Sequence, residues 1–283
     1  MKFISIFNNN CLWHKKIFPS ILLYLEFAKK SFQQSLQYRI ANYSGFVVNT
    51  FFFIVRAFIF MALYENRDVV AGYNVTEAIT FTGITQAMIM VIGIFGTMEI
   101  ANAVKSGEVA VDLMKPIDYQ FVMLFRQFGR SLYYFIFRGT PIFLVMAIFF
   151  SWTPPQSWII LIPFFFSMIL AVVTTFSLNF FVGMSAFWLL DARGVSGLIM
   201  GSGLLLSGFV VPISFFPSGF DKICEWLPFI GESYTPVAIY LGKYTGTTML
   251  IMLGRQFLWA IMLMLIGKIF MHFAMRKLVI QGG

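Results

Sequence analysis

Residues 43–63, YSGFVVNTFFFIVRAFIFMAL, form a mostly apolar stretch that carries one charged residue, Arg56. A helix needs about 20 mainly apolar residues to cross roughly 30 Å of membrane hydrocarbon. A helix also satisfies its own backbone hydrogen bonds, and the sequence lacks the alternating segments of about ten residues that are typical of β-barrels. The sequence therefore predicts an all-α polytopic membrane protein with six transmembrane helices. The other five predicted spans are 78–98, 131–151, 166–190, 194–215 and 247–273.

The composition favours the same class. Of 283 residues, 59% are hydrophobic and 11% are charged, whereas soluble domains carry about 25% charged residues. Cys11 and Cys224 fall on opposite sides of the predicted membrane, and no metal-binding spacing is present, so neither a disulfide nor a metal site is expected. The chain is also expected to hold no cofactor of its own.

Basic residues indicate the orientation, because cytoplasmic loops of membrane proteins are enriched in Lys and Arg. If both termini are cytoplasmic, fourteen basic residues lie on the cytoplasmic side, and only Arg67, Lys222 and Lys243 lie outside. The net charge of +8 then follows from topology, and no nucleic-acid partner is expected.

Three regions are predicted: a cytoplasmic tail at 1–16, an amphipathic helix at 17–40 and the transmembrane domain at 41–283. In 17–40, apolar residues recur at helical spacing opposite polar ones. Such a helix is expected to lie in the membrane interface with Lys29 and Lys30 toward anionic headgroups. The alternative is a first span that begins early.

The segment 210–246 has four prolines but is too apolar for a typical solvated loop. We expect short helices that re-enter the outer leaflet and pack on the bundle, because irregular backbone at membrane depth must be covered by protein or face water. A fully solvated outer loop is the alternative.

Residues 99–130, EIANAVKSGEVAVDLMKPIDYQFVMLFRQFGR, are the longest charged stretch between two predicted spans. Residues 101–116 are predicted to be helical, with an interruption at Ser106-Gly107 and an end at Pro116. Residues 119–130 are predicted to be an amphipathic lead-in whose arginines face headgroups. The residues alone fit two interpretations equally: a docking site for a soluble protein partner, or a plain cytoplasmic loop.

Ionisable residues at membrane depth are costly and are functional candidates by default. Arg56 either contacts an anionic headgroup or substrate in a conduit, or forms a buried hydrogen bond to a neighbour such as Asn49 or Asn179. Glu99 is a candidate for a gate or a docking group. Arg138 and Arg255 are expected to extend toward an interface.

The fifth predicted span contains Gly197-x-x-x-Gly201, a pair of small residues that lets helices approach closely. We expect this pair to pack helices, within the bundle or across a dimer, rather than to line a substrate path.

Three stretches carry a family resemblance: SGEVAVDLMKPIDY at 106–119, FWLLDARGV at 187–195 and SGFVVPISFFPSGFDKICEWLPFIGESYTPVAIYLG at 207–242. Together they resemble the prokaryotic six-span permease subunits of type-2 ATP-binding-cassette (ABC) exporters. The resemblance implies a pair of permease subunits in the inner membrane, in contact with lipid, and a cytoplasmic ATPase dimer beneath them. It also implies that 101–116 is a coupling helix. The implied ATPase-docking residues are Val104, Gly107, Glu108, Asp112, Leu113 and Lys115, with Lys29 and Lys30 as further candidates.

The sequence has no phosphate-binding loop of the form G-x-x-x-x-G-K-[ST], so ATP and Mg²⁺ are expected to bind the partner ATPase rather than this chain. The predicted function is a non-enzymatic permease that moves an amphipathic or hydrophobic substrate outward, such as a drug, peptide, lipid or glycan. The alternative is a secondary transporter that works without an ATPase. That class uses carboxylates inside the membrane, and Glu99 is the one plausible candidate in the sequence.

Overall fold

The computed structural model describes residues 21–96, 98–189 and 191–277, and within them the chain is helical, with no β-strand. Besides its α-helices, the chain has a π-helix at Phe135–Gly139 and 3-10 helices at Trp158–Ile160, Ile213–Phe215 and Pro228–Glu232. In chain order, the α-helices are α1 (Ile21–Gln37), α2 (Arg39–Leu63), α3 (Val75–Ile92), α4 (Glu99–Ser106), α5 (Val109–Met114), α6 (Tyr119–Tyr134, continued through the π-helix by Thr140–Phe149), α7 (Leu161–Ser185), α8 (Arg193–Leu206), α9 (Phe220–Trp226), α10 (Tyr234–Tyr240) and α11 (Gly246–Met275).

Five helices are long and apolar enough to cross a membrane, which confirms the predicted all-α polytopic fold. The central helices are the most buried. In an 18-residue apolar stretch of each helix, 72% of the residues are buried in α3, against 22% in α2 and 22% in α11. The two outer helices therefore leave most of their apolar side chains for lipid or for another protein. The five candidate spans are Asn42–Leu63, Val75–Ile92, Tyr119–Phe149, Trp158–Ser185 and Gly246–Met275.

The predicted span 194–215 is not found as one long helix. α8 has 14 residues, or about 21 Å at 1.5 Å per residue, which is less than a full crossing. Gly208 adopts a left-handed backbone, φ +72°, beyond its end, and Pro212 cannot continue the helix. The sixth crossing is therefore not confirmed. The predicted span 78–98 also ends early, because Gly93 adopts a left-handed conformation after Ile92.

The third span is longer than predicted. A continuous helical stretch of 31 residues runs over Tyr119–Phe149, so 119–130 leads into this span without a break, and its interfacial position stays a prediction. Leu124 is buried with Met123 in a cluster formed with α7.

The N-terminal helix α1 packs along α6. An ideal Cβ at Gly129 would lie 2.0 Å from the carbonyl oxygen of Ala28, so only glycine permits this close approach. The ring of Tyr24 contacts those of Phe121 and Phe125 in α6. Leu22 and Leu25 are exposed, as an interfacial helix requires, but the interfacial placement and the domain boundaries stay predictions. The predicted tail 1–16 lies outside the described residues.

The bundle has two ends that we name by their chemistry. The charged end carries α4, α5, Asp118, Asp191 and Lys268, and it is tied by Lys105–Asp191 and Lys268–Asp118 ion pairs. The proline end comprises the connections 64–74, 150–157 and 207–245. All residues of α10 are buried, so 207–245 is not the fully solvated loop of the alternative interpretation. Its depth in the membrane stays a prediction.

Candidate functional site

At the charged end, α4 and α5 form the interrupted helical element that the sequence predicted. Gly107 joins them with φ +79°, and a Cβ there would meet nothing within 4 Å, so backbone conformation rather than space favours glycine. Lys115 is extended, as expected for a residue before proline, and this ends α5.

Glu99, at the start of α4, anchors this element to α6. Its two carboxylate oxygens pair with Arg126 at 2.8 Å and with Arg130 at 2.7 Å. Arg130 also donates a hydrogen bond to Gln127 at 3.2 Å. The prediction that both arginines face headgroups is wrong. Four residues apart on one helix, they share a face, and Glu99 lies opposite that face.

The predicted docking residues divide into two sets. Val104 and Leu113 are half-buried against the apolar cluster of α4, α6 and α7, so they hold the element in place and do not face outward. Gly107, Glu108 and Lys115 are exposed.

The surface next to these exposed residues also carries apolar side chains. Val111 is 62% exposed and Met114 is 72% exposed. Asp112 is half-buried and pairs with Lys115 at 2.6 Å. On α1, Lys29 and Lys30 are exposed, and Lys29 lies 3.9 Å from Glu26. The exposed surface of α5 therefore has the apolar side chains and the mixed charges that a protein partner needs.

Two cavities meet at Glu99. The larger, about 470 Å³, is lined by Glu99, Asn102, Glu108, Asp112 and Arg126, among others. The smaller, about 100 Å³, lies between Glu99 and Asn179. Asn179 donates a hydrogen bond to the Gly93 carbonyl at 3.0 Å, so it fixes the turn after α3. The structure thus brings two of the three predicted conduit residues together.

Arg56 lies apart from them. Its guanidinium donates to the carbonyls of Phe209 and Val210, at 2.8 and 2.6 Å, and to Gln86 at 3.3 Å. The expected hydrogen bonds to neighbouring groups are present at a half-buried side chain, but the partners are not Asn49 or Asn179, the examples named from the sequence. Carbonyls just beyond the interrupted helix α8 lack helical partners, and Arg56 supplies donors for them.

The other two arginines in the spans are also held by protein. Arg138 is 6% exposed, donates to Asn42 at 3.1 Å and lies over the Tyr134 ring, so it does not extend to an interface as predicted. Arg255 donates to the Glu225 carbonyl at 2.7 Å, which ties α11 to the proline end.

Gly197 and Gly201 do not pack helices together within the part of the chain that the structure describes. A Cβ added at either position would meet no described atom within 4 Å. The within-bundle part of that prediction is wrong, and a contact across subunits stays a prediction. The close-packed glycine of α8 is Gly203, where a Cβ would lie 2.9 Å from a carboxylate oxygen of Glu232.

Glu232 is the ionisable residue that sequence reasoning missed, and it corrects the expectation that Glu99 is the one plausible internal carboxylate. It is 2% exposed, and Thr175 donates a hydrogen bond to its Oε1 at 3.0 Å. Its Oε2 has no hydrogen-bond partner among the described residues. Burial raises the pKa of the Glu232 carboxyl above its ordinary range, because desolvation outweighs the hydrogen bond. The available signal was Glu232 as the one charged residue in LPFIGESYTPVAIYLG, 227–242.

Comparison with known protein families gives a match over most of the chain. A family model described as ABC-2 family transporter protein matches residues 50–282, which include both ends of the bundle and all five candidate spans apart from the first part of α2. No curated protein matches the chain.

Proposed function

The chain belongs to the ABC-2 family of transporter proteins, and we propose that it is the permease subunit of an ATP-driven exporter. Members of this family are the membrane components of transporters and are not themselves catalytic. In the proposal, two permease subunits form the path, and a separate ATPase dimer binds ATP and Mg²⁺. The protein lies in the inner membrane with both termini cytoplasmic. It moves an amphipathic or hydrophobic substrate outward, such as a drug, peptide, lipid or glycan.

One observation carries the proposal: α4 and α5 present an exposed surface at the charged end while being anchored from behind. Glu108, Val111 and Met114 face away from the bundle. Val104 and Leu113 pack inward, and Glu99 joins the element to α6 through two ion pairs. A displacement of α4 and α5 by a bound partner would therefore move α6, a membrane-spanning helix. Such a mechanical connection is required to couple ATP hydrolysis to transport.

The pairing of two permease subunits is supported by the open glycine face of α8. Gly197 and Gly201 have free space around them in a helix that is otherwise apolar. Faces of small residues allow close helix contact in membranes. A second permease subunit is the partner that this part of the proposal requires.

The docking proposal is tested by charge reversal. We expect Glu108→Lys and Asp112→Lys to weaken co-purification with the ABC ATPase encoded nearest to the gene by tenfold or more, about 1.4 kcal/mol. Substrate-stimulated ATP hydrolysis should fall in parallel. The matched control is Asp68→Lys, an exposed residue at the proline end. Unchanged binding and ATP hydrolysis in both variants would show that α5 is not the docking surface.

The secondary transporter is a second candidate because of Glu232, since buried carboxyl groups serve as proton relays in such proteins. Proteoliposomes that contain this chain without an ATPase separate the two functions. The exporter proposal predicts no substrate movement in them under a pH gradient. Gradient-driven movement that Glu232→Gln abolishes would support the secondary transporter instead.

A further inference from the structure

An apolar cavity of about 330 Å³ lies between α3, α6 and α7, away from the charged end. The smallest residues in its wall are Ala87 on α3 and Gly139 on α6, and the larger ones include Phe135, Phe143 and Phe165. A Cβ at Gly139 would lie 3.2 Å from the Ala87 carbonyl oxygen, so α3 and α6 touch there. Small residues facing large rings, beside the wide π-helical turn Phe135–Gly139, leave the space unfilled.

The wall offers almost nothing to a polar ligand. The Thr140 hydroxyl already donates to the Phe135 carbonyl at 2.9 Å, and the other wall side chains with a polar atom, Trp152, Trp158 and Tyr240, are mostly apolar rings. A polar or charged group would lose its hydration and gain few partners, which costs several kcal/mol. Apolar cavities of this kind take apolar occupants, because filling them restores lost contacts.

The cavity also has the depth of one membrane leaflet. It reaches from the π-helix to Trp152, Pro155 and Trp158 at the proline end. Its wall residues from Trp158 to Met168 cover about 15 Å at 1.5 Å per residue, half of the roughly 30 Å hydrocarbon core. Tryptophans mark the level of the lipid headgroups. Trp158 is 78% exposed, as expected for a side chain at that boundary.

The cavity opens at the surface of the bundle between α6 and α7, where three residues of its wall, Thr140, Trp158 and Phe165, are exposed. Leu144 and Ile162, which follow wall residues in the sequence, are exposed and apolar, as a lipid-facing surface requires. A helix of another protein is about 10 Å wide with its side chains and is too thick to enter, whereas a single hydrocarbon chain is not. We propose that this cavity binds one acyl chain of a membrane phospholipid, with the headgroup at the level of Trp152 and Trp158.

Native mass spectrometry of the full chain in detergent tests the proposal. With dioleoylphosphatidylglycerol as the probe, we expect one phospholipid per chain to remain bound at activation energies that strip the remaining lipid. Glycerophosphoglycerol, which has the headgroup and no acyl chains, should not bind. Ala87→Phe, which fills the cavity, should lose the retained lipid. The control, Ala62→Phe, places the same ring on an exposed face of α2 and should keep it.

A second variant guards against misfolding of Ala87→Phe. Thr140 is exposed at the cavity, so Thr140→Trp blocks entry from the surface, and it should also lose the lipid while eluting as the native protein does in gel filtration. Retention of the lipid in both cavity variants would overturn the proposal, as would binding of the headgroup alone. Thr140→Cys that crosslinks to a second copy of the chain would also overturn it, since another protein would then cover the mouth.

Discussion

At the charged end, Glu99 lies between Arg126 and Arg130 with 38% of its side chain exposed. At the proline end, Glu232 is 2% exposed, and among the described residues only Thr175 donates a hydrogen bond to it. The two carboxyl groups are thus held by opposite means. Water can replace the partners of Glu99 at little cost, but it cannot reach Glu232. The contrast indicates that the charged end can be rearranged by a partner, while the proline end is a fixed unit packed on α7 and α8.

The largest effect is expected from Glu232→Lys. The side chain is enclosed, with Gly203 and Thr175 beside it, so a lysine ammonium would be buried without an acidic partner. Leaving a buried charge unpaired costs about 3–5 kcal/mol. We expect loss of the monodisperse peak in gel filtration and a much lower unfolding temperature in detergent. Glu232→Gln, which keeps size and neutrality, should change stability by less than about 1 kcal/mol. Equal stability of the two variants would contradict the proposed burial.

A smaller effect is expected at the contact between α1 and α6. Gly129→Leu places side-chain atoms where the Ala28 carbonyl oxygen now lies, and overpacking of this kind costs about 1–3 kcal/mol. We expect α1 to be displaced, with faster hydrogen exchange over Ile21–Gln37 and a lower unfolding temperature. Gly254→Leu is the control, because a Cβ at Gly254 meets nothing within 4 Å. Unchanged exchange in α1 would show that this helix does not depend on the close contact.

The pH dependence of stability distinguishes the ends further. Because burial raises the pKa of Glu232, the folded protein holds its proton more tightly than the unfolded chain does. The stability that the protonated Glu232 contributes is fully present below the ordinary pKa of glutamate. It is lost as the pH rises through the raised pKa of the folded protein. The slope is at most about 1.4 kcal/mol per pH unit. Thermal unfolding from acidic to mildly alkaline pH should show this fall, and Glu232→Gln should remove this component. An identical slope in the variant would assign it to other groups.

Local features of the fold were predictable from the sequence, and long-range contacts were not. Hydropathy located the five long helices, and the sequence Ser106-Gly107 with Pro116 located the break and the end of the cytoplasmic element. The partners of Arg56 were missed because they are backbone carbonyls about 150 residues away, exposed by the early end of α8. Hydropathy could not anticipate that end, since the apolar run continues past Gly208.

In the candidate site, too, contacts between different helices could not be predicted from the sequence. Glu99 was identified because it follows an apolar span directly, but its pairing with Arg126 and Arg130 depends on how α4 packs against α6. The family resemblance implied Val104 and Leu113 as docking residues, and helix packing leaves them half-buried against an apolar cluster. Glu232 is buried by α7 and α8, elements that no pattern within 207–245 specifies.

The smallest stability effect is expected from Glu99→Gln. The carboxylate and both guanidiniums are partly exposed, so the ion pairs contribute less than about 1 kcal/mol and less still at high salt, where screening shortens the range of the interaction. If Glu99 transmits motion, this change should leave ATPase binding intact but lower substrate-stimulated ATP hydrolysis. Arg67→Gln, an exposed charge at the proline end, is the control for loss of a charge alone. A loss of stability as large as that of Glu232→Lys would remove the contrast between the ends, since the charged end would then be as fixed as the proline end.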